Sequence, residues 1–254
     1  MNEIITTALM TFGAGFTGAS FSKATVPGQA LDDIMTIVGF NKLHEVAEKQ
    51  RAKRDQNIKR YKEDIAQEII KIPEENIQEP PLAIVGPALE ASKYYIEEEH
   101  LREMFAKIIA TSMDNRLDDK IHPSYIEIIK QLSHHDALVL KKIKKAKLFT
   151  GSPYPTMSMV LESEKGTKTI FPLLVLFKGD YGFEKNSISI NNLERLGILK
   201  ISNGTYAADE NVYTPYYQND VINSVLEKNP EMTLVKNSFS LSNFGTNFIN
   251  LCVD

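Results

Sequence analysis

E-H-L-R-E-M-F-A-K-I-I-A-T-S-M-D-N-R (residues 99–116), followed by H-P-S-Y-I-E-I-I-K-Q-L-S-H-H-D-A-L-V-L-K-K-I (residues 122–143), is the stretch that decides the fold. Leu101, Met104, Phe105, Ile108, Ile109, Ser112 and Met113 recur at i, i+3, i+4, i+7 and i+8, the spacing of one buried helical stripe. Asp114-Asn115 and the polar residues to Lys120 end that helix. His122-Pro123-Ser124 restarts the chain, since a proline in a first helical turn gives up only an N–H that has no partner there. The second helix buries Tyr125, Ile128, Ile129 and Leu132. Ser133 then reads as an N-cap with Asp136 as its capping-box partner. The third helix turns Ala137, Leu140 and Ile143 inward and Lys141, Lys142, Lys144, Lys145 and Lys147 outward. Connections this short imply neighbouring, packed helices.

Working outward, residues 4–22 are uncharged and rich in Gly, Ala, Thr and Ser, and Pro27-Gly28 breaks the chain after them. Residues 31–40 form a short apolar helix, and 41–72 one long helix that Pro73 stops. Its ends are apolar (Leu43, Val46, Ala47; then Ile58, Tyr61, Ile65, Ile69, Ile72), while residues 48–57 carry only Ala52 and are expected to be solvated. Pro80-Pro81 open a further helix that Gly86-Pro87 should kink or interrupt. Beyond Thr150 the composition changes. Residues 151–155 read as a linker from their turn residues. β-branched and apolar stretches follow at 169–177, 198–201 and 206–213. Residues 187–196 form a short helix with Ile190, Leu193 and Leu196 inside. Gly197, a strand, a turn at Asn203-Gly204, a second strand and a closing helix at 244–251 complete a winged-helix-like pattern. The predicted class is therefore α+β: a mainly helical N-terminal region and a smaller winged-helix-like α/β C-terminal region. The expected divisions are 1–30 (apolar, Gly-rich), 31–150 (helical) and 151–254 (winged-helix-like).

The pattern L-R-E-M-F-A-x-I-I-A-x-S-M-D, then H-P-S-Y-I-E-I-I-K-Q-L-S-x-x-D-A, resembles the Abi-alpha (abortive infection alpha) family of bacterial and prophage proteins. Asn192-Leu193-Glu194-Arg195-Leu196-Gly197-Ile198-Leu199 and Leu241-Ser242-Asn243-Phe244-Gly245-Thr246-Asn247-Phe248-Ile249, followed by Cys252, fit the same resemblance, which covers about residues 24–252. The resemblance implies a role in limiting phage infection. It brings no catalytic residues.

Over 254 residues, 43% hydrophobic composition is enough to bury one large core or two smaller ones. A net charge of −4 leaves no bulk electrostatic drive toward nucleic acid, although local basic patches remain open. The single Cys252 excludes an internal disulfide and a cysteine-based zinc site, and fits a reducing cytoplasm. No basic n-region opens the chain, so a secretory signal is not expected.

Gly13-Ala14-Gly15-Phe16-Thr17-Gly18 matches G-x-G-x-x-G, but Pro27-Gly28 cuts short the helix a dinucleotide site requires and the next hundred residues are helical. No cofactor is expected. The same segment is nearly long enough to cross a bilayer, and Ala14, Gly18 and Ser22 form a row of small residues that allows close helix contact. Its Thr and Ser content disfavours lipid, so self-association into a homo-oligomer is the preferred burial, with a membrane as the other. Lys49, Arg51, Lys53, Arg54, Lys59 and Arg60, with Lys62, form a basic stretch able to meet an anionic partner. Glu45, Glu48, Asp55, Glu63 and Asp64 interleave with it and favour a solvated, salt-bridged helix. His122, His134, His135 and Asp136 lack metal-ligand spacing, so capping and surface roles are expected. Glu97-Glu98-Glu99 should sit at a helix N-terminus, where the macrodipole favours negative charge. The presumed recognition helix has only Lys185 and Arg195 as cations, beside Glu184 and Glu194, which is poor material for phosphate contacts.

The function expected from these readings is a non-enzymatic antiviral defence protein of the abortive-infection type. It would be cytoplasmic or membrane-associated and act on a phage or host protein or on a membrane, with no catalytic, metal or cofactor residues. The alternative is a winged-helix DNA-binding regulator.

Overall fold

The computed structural model describes residues 48–253 apart from 149, 165 and 179–181, with side chains from residue 52 onward. Two compact units emerge. One holds the described residues to His134 together with 250–253; the other spans 135–249.

In the helical unit, α1 (Glu48–Ile69), α2 (Leu82–Ser92), α3 (Glu99–Thr111) and α4 (Ser124–Lys130) form in the order the periodicity predicts. Packing centres on α3, which meets α1, α2 and α4. Phe105, Ile108 and Ile109 on its inner stripe have no exposed surface, and neither do Tyr61 and Ile65 of α1 or Val85 and Leu89 of α2. Ile70 is exposed where α1 has ended. A 3-10 turn (Asn115–Lys120) follows α3, and its N-cap Asp114 accepts a hydrogen bond from the Arg116 backbone N–H. The end of the chain completes this unit. Leu251, Cys252 and Val253 are buried. The Thr111 hydroxyl donates to the Leu251 carbonyl at 3.2 Å, and the Lys107 ammonium to that of Val253. Both carbonyls lie at a helix C-terminus, where no intrahelical N–H can reach them.

Gly86-Pro87 does not interrupt the helix: α2 runs through with Pro87 inside it. Pro87 cannot donate to the carbonyl of Ala83, and both residues lie on the exposed side of the helix, where losing that bond costs least. Burial of Ile84, Val85, Ala88 and Leu89 on the opposite side holds the helix together.

The second unit contains nearly all of α5 (His134–Lys145), a sheet, and the helices set against it. Its elements are β1 (Tyr154–Ser163), β2 (Gly166–Leu174), α6 (Phe183–Arg195), β3 (Leu199–Asn203), α7 (Thr214–Tyr217), α8 (Asp220–Lys228), β4 (Met232–Leu241) and α9 (Asn243–Cys252). The sheet is antiparallel throughout, in the order β2-β1-β4-β3. β1 is central, and register pairs Met159 with Leu234 and Ser158 with Val235. One core gathers Met157, Met159, Leu174 and Leu176 with Tyr213, Tyr216 and Ile222. The β1–β2 turn closes at Gly166, whose φ of 121° only glycine adopts readily.

Two expectations fail here. The linker expected at residues 151–155 gives way to strand at Tyr154: Tyr154 pairs with Phe239, and their rings stack at 4.9 Å. Pro155 is tolerated because β1 does not meet β2 until Met157, leaving ladder on one side only. Residues 206–213 are not a second strand. They end in a 3-10 turn (Glu210–Tyr213), and β3 pairs with β4 instead. Asn203-Gly204 still turns, with Gly204 at φ 76°, but the Gly204 N–H donates to the Asn237 side chain at 2.8 Å. Tyr213 is drawn into the core, where its hydroxyl donates to the Asn237 carbonyl and accepts from the Ala207 N–H. A buried aromatic ring with a satisfied hydroxyl outweighs the strand preference of the residues around it.

Candidate functional site

The basic stretch lies along α1. Lys53 is 2.8 Å from Glu97, in the turn before α3, and Lys59 lies 4.0 Å from Glu63 one helical turn on. Arg60 is exposed, and Arg54 is half-buried and engaged by its own partners. Lys49 and Arg51 fall within α1, ahead of the described side chains. Lys53 and Lys59 thus each lie beside a carboxylate, in solvent-exposed pairs that offset part of the positive charge of this face. Ala14, Gly18 and Ser22 lie outside the described residues.

The histidines act at helix starts. The Ser124 backbone N–H donates to His122 Nδ1 at 3.1 Å, so His122 holds the first residue of α4 from just ahead of its N-cap, Pro123. His134, at the head of α5, faces Glu98 at 3.3 Å, and its ring lies 5.2 Å from that of His100. His135 Nε2 meets the buried Asn186 Oδ1 at 3.0 Å. Glu98 is the N-cap position of α3 and Glu99 lies in its first turn. Among the described residues no group of three His, Cys, Asp or Glu side chains converges.

The polar residues of the family pattern hold backbone and neighbouring helices. Arg102 is buried on α3. Its Nε donates to Asp64 Oδ2 at 2.8 Å, and its Nη1 to the Ile96 carbonyl at 3.4 Å. Burial pushes the Asp64 carboxyl above its usual range, and the Arg102 hydrogen bond opposes that. Asp114 takes a two-pronged contact from Arg116 at 2.8 and 2.6 Å, which holds its carboxyl below the usual range. In the second unit, Asp136 on α5 accepts from Asn192 on α6 at 3.0 Å. Glu194 accepts from the Ile201 backbone N–H at 2.8 Å. The helix α6 turns Ile190 and Leu193 into the core as expected, with Asn186 and Ser189 buried beside them, while Leu196, also expected inside, is half-buried.

Two sequence-distant pieces of the pattern meet at the start of α9. The Ser242 hydroxyl donates to the Gly197 carbonyl at 2.6 Å and accepts from the Gly245 N–H at 2.8 Å; the Ser242 N–H donates to the Ile198 carbonyl at 3.0 Å. Gly245 lies so close to Ile198 that a Cβ on it would stand 2.0 Å from that carbonyl oxygen. Gly197 has φ 76° after α6, where a left-handed residue terminates a helix.

Several polar anchors had no sequence signal. Asn237 Nδ2 donates to the Ser158 hydroxyl at 3.0 Å, and Asn186 Nδ2 to the Val175 carbonyl at 3.1 Å. The Tyr216 hydroxyl donates to the Pro155 carbonyl at 2.8 Å and accepts from the Leu176 N–H at 3.1 Å. Burial pushes the Tyr154 phenol up to about 12. Each anchor is an isolated Asn or Tyr whose partners lie from 11 to 79 residues away. A cleft of about 320 Å³ in the helical unit is lined by Gln78, Glu79, Pro81, Ile84, Ser112, Asp118 and Ile121. Gln78 spans it, donating to Asp118 and to the Ser112 carbonyl. Among the described residues no helix is long and apolar enough to cross a membrane.

Comparison with known proteins agrees with the resemblance in the sequence. A family model described as abortive infection alpha matches residues 53–252, from the second turn of α1 to the end of α9. No curated protein and no solved structure matches the chain. Every signature residue placed above falls within the matched span, and the chain belongs to the abortive infection alpha family.

Proposed function

We propose that this chain is an antiviral defence protein of the abortive-infection type that acts by contact rather than by chemistry. Membership of the family supports the defence role. The non-enzymatic reading rests on how the family's polar residues are used. Arg102 joins Asp64 in an ion pair, Asp114 caps a 3-10 turn, Asp136 and Asn192 join two helices side chain to side chain, and Ser242 holds a distant backbone carbonyl. The target is a phage or host protein, or a membrane, met in the cytoplasm. Self-association through Ala14, Gly18 and Ser22 belongs to the same proposal.

Phage plating on bacteria with and without the gene tests the role; equal plaque numbers and unchanged survival across a broad panel count against it. Asp136→Asn and Asn192→Ala test the contact reading, because protection should fall only as far as the melting temperature falls. A variant that keeps full stability and loses protection would reveal a chemical role. Deleting residues 1–23 should give a smaller particle by light scattering, and an unchanged particle size argues against self-association there.

A second reading, a DNA-binding regulator, is supported by the order α6, β3, β4 and α9, a helix followed by two paired antiparallel strands and a closing helix. Its charge is unfavourable: Arg195 is held by Asn192 and only Lys185 joins it. Absence of duplex binding at low salt removes this reading.

A further inference from the structure

Asn203-Gly204 is the single Asn-Gly step in the chain. Such a step can modify itself. The nitrogen of the glycine attacks the side-chain carbonyl carbon of the asparagine, and with no Cβ the glycine leaves that approach open. The new N–C bond closes a five-membered succinimide. The side-chain nitrogen departs as ammonia, taking the glycine N–H proton with it. Water then opens the ring at one of its two carbonyls, giving Asp or isoaspartate and one added negative charge. No oxidant or reductant is needed.

Both reacting groups are on the surface, since Asn203 and Gly204 are exposed. The attacking nitrogen, however, is engaged. Its N–H donates to Asn237 Oδ1 at 2.8 Å. Asn237 is itself fixed: it is 3% exposed, its Nδ2 donates to the Ser158 hydroxyl at 3.0 Å, and its carbonyl accepts from the Tyr213 hydroxyl at 3.1 Å. The backbone on either side is held too. Asn203 pairs with Asn237 across β3 and β4, and the Ser238 hydroxyl donates to the Thr205 carbonyl at 2.8 Å. Attack on Asn203 therefore requires the Gly204 nitrogen to leave Asn237 and turn away from the sheet.

We propose that Asn203 is a site of spontaneous deamidation and that Asn237 is the positioning residue that restrains it in the folded chain. The reaction also destroys its own restraint. The glycine nitrogen of a succinimide carries no hydrogen, so Asn237 Oδ1 loses its donor in a nearly buried place, which is costly. Isoaspartate puts one more carbon into the backbone, and Gly204 no longer meets Asn237 in register. Conversion is thus one-way and marks chains in which the end of β3 has opened. It draws on no part of the defence role and stands or falls separately from it.

Peptide mapping by mass spectrometry tests the site, because each conversion raises the mass of the Asn203 peptide by about 1 Da. The purified full-length chain is held at neutral pH, folded or unfolded in guanidinium chloride. Folded parent should convert at least about tenfold more slowly than unfolded parent. Folded Asn237→Leu should convert about fivefold faster than folded parent, the value of one hydrogen bond. Tyr216→Phe is the control for general loosening. It removes the hydroxyl that bonds Pro155 and Leu176 in the same unit but leaves the Gly204 bond in place, so its conversion should match the parent. In guanidinium chloride all three chains should convert alike. The proposal is overturned if folded and unfolded parent convert at one rate, or if Asn203 stays intact even when unfolded. It is equally overturned if Asn237→Leu matches the parent, if Tyr216→Phe speeds conversion as much as Asn237→Leu, or if the unfolded chains differ. Should Asn237→Leu fail to fold, the folded and unfolded parent decide by themselves.

Discussion

The helical unit and the sheet unit are stabilised at different distances along the chain. In the helical unit the main partners of α3 are the helices that precede and follow it, and each of α2, α3 and α4 buries a stripe set by its own periodicity. Only residues 250–253 come from far away. In the sheet unit, central β1 is flanked by β2, its hairpin partner, and by β4, whose Phe239 sits opposite Tyr154. Its joints are single polar groups: Asn237 linking β4 to Ser158 and Gly204, and Ser242 linking α9 to Gly197. A core of short-range stripes tolerates local irregularity, as Pro87 shows inside α2. A sheet assembled from distant strands depends on a few close approaches that admit no substitute.

The sharpest test of this contrast is Phe105→Ala. Phe105 has no exposed surface at the centre of α3, and its loss should cost about 3–5 kcal/mol. Deuterium exchange should rise across the helical unit and much less in residues 150–249; equal rises would mean that the two units unfold as one. Gly245→Ala is the counterpart. A methyl group 2.0 Å from a backbone oxygen cannot be relieved by turning a side chain, so α9 must shift, at a cost of about 3 kcal/mol. Exchange should then rise around β3 and α9, and a melting temperature within 1–2 °C of the parent, by the stability scaling expected for this size, would mean that α9 moves freely.

Asn237→Leu should cost about 2 kcal/mol, because the Ser158 hydroxyl and the Gly204 N–H lose their partner while Asn237 is nearly buried. Urea midpoints measure this, and a neutral result would show that water replaces the side chain. The smallest effect concerns acid. The Asp114 carboxyl is depressed, so the stability it contributes is present above the ordinary carboxylate value of about 4 and is lost as pH falls through its folded value. The Asp64 carboxyl is raised, so its contribution has the opposite sign: present at low pH and lost as pH rises through its folded value. Asp114→Asn should flatten the acid limb of the melting profile, by less than about 1 kcal/mol because its partner Arg116 is half-exposed. Asp64→Asn should steepen that net acid loss, and a profile unchanged by both would place the acid sensitivity on other carboxylates.

The same division sets what could be read from residues alone. Helices α1 to α6 were legible through apolar spacing and stop signals, because both act within a few residues. β3 and α9 were legible too. Tyr154-Pro155 was misread because turn-forming residues say nothing about a strand waiting at Phe239. The strand expected at 206–213 failed because Tyr213 and its neighbours were recruited by a core that the local pattern does not reveal. β1, β4, α7 and α8 went unnoticed: β4 is masked by N-S-F-S polarity inside it, β1 by its turn-forming start and interleaved Thr and Ser, and α7 and α8 by their shortness. The residues that carry the family pattern were visible as a pattern, but their work was not.

By itself, then, the sequence determined the α+β class, the helical order from α1 to α5, the buried stripe of α3, and the family. Each follows from side-chain periodicity, capping or charge, which operate across one or two helical turns. The tertiary structure alone decided that β3 pairs with β4, that the last residues of the chain close the helical unit against Thr111 and Lys107, and that Ser242 and Gly245 lock onto Gly197 and Ile198. Those outcomes depend on which distant surfaces reach each other and whether their polar groups are satisfied when they do, a condition of the whole folded chain and not of any short stretch of it.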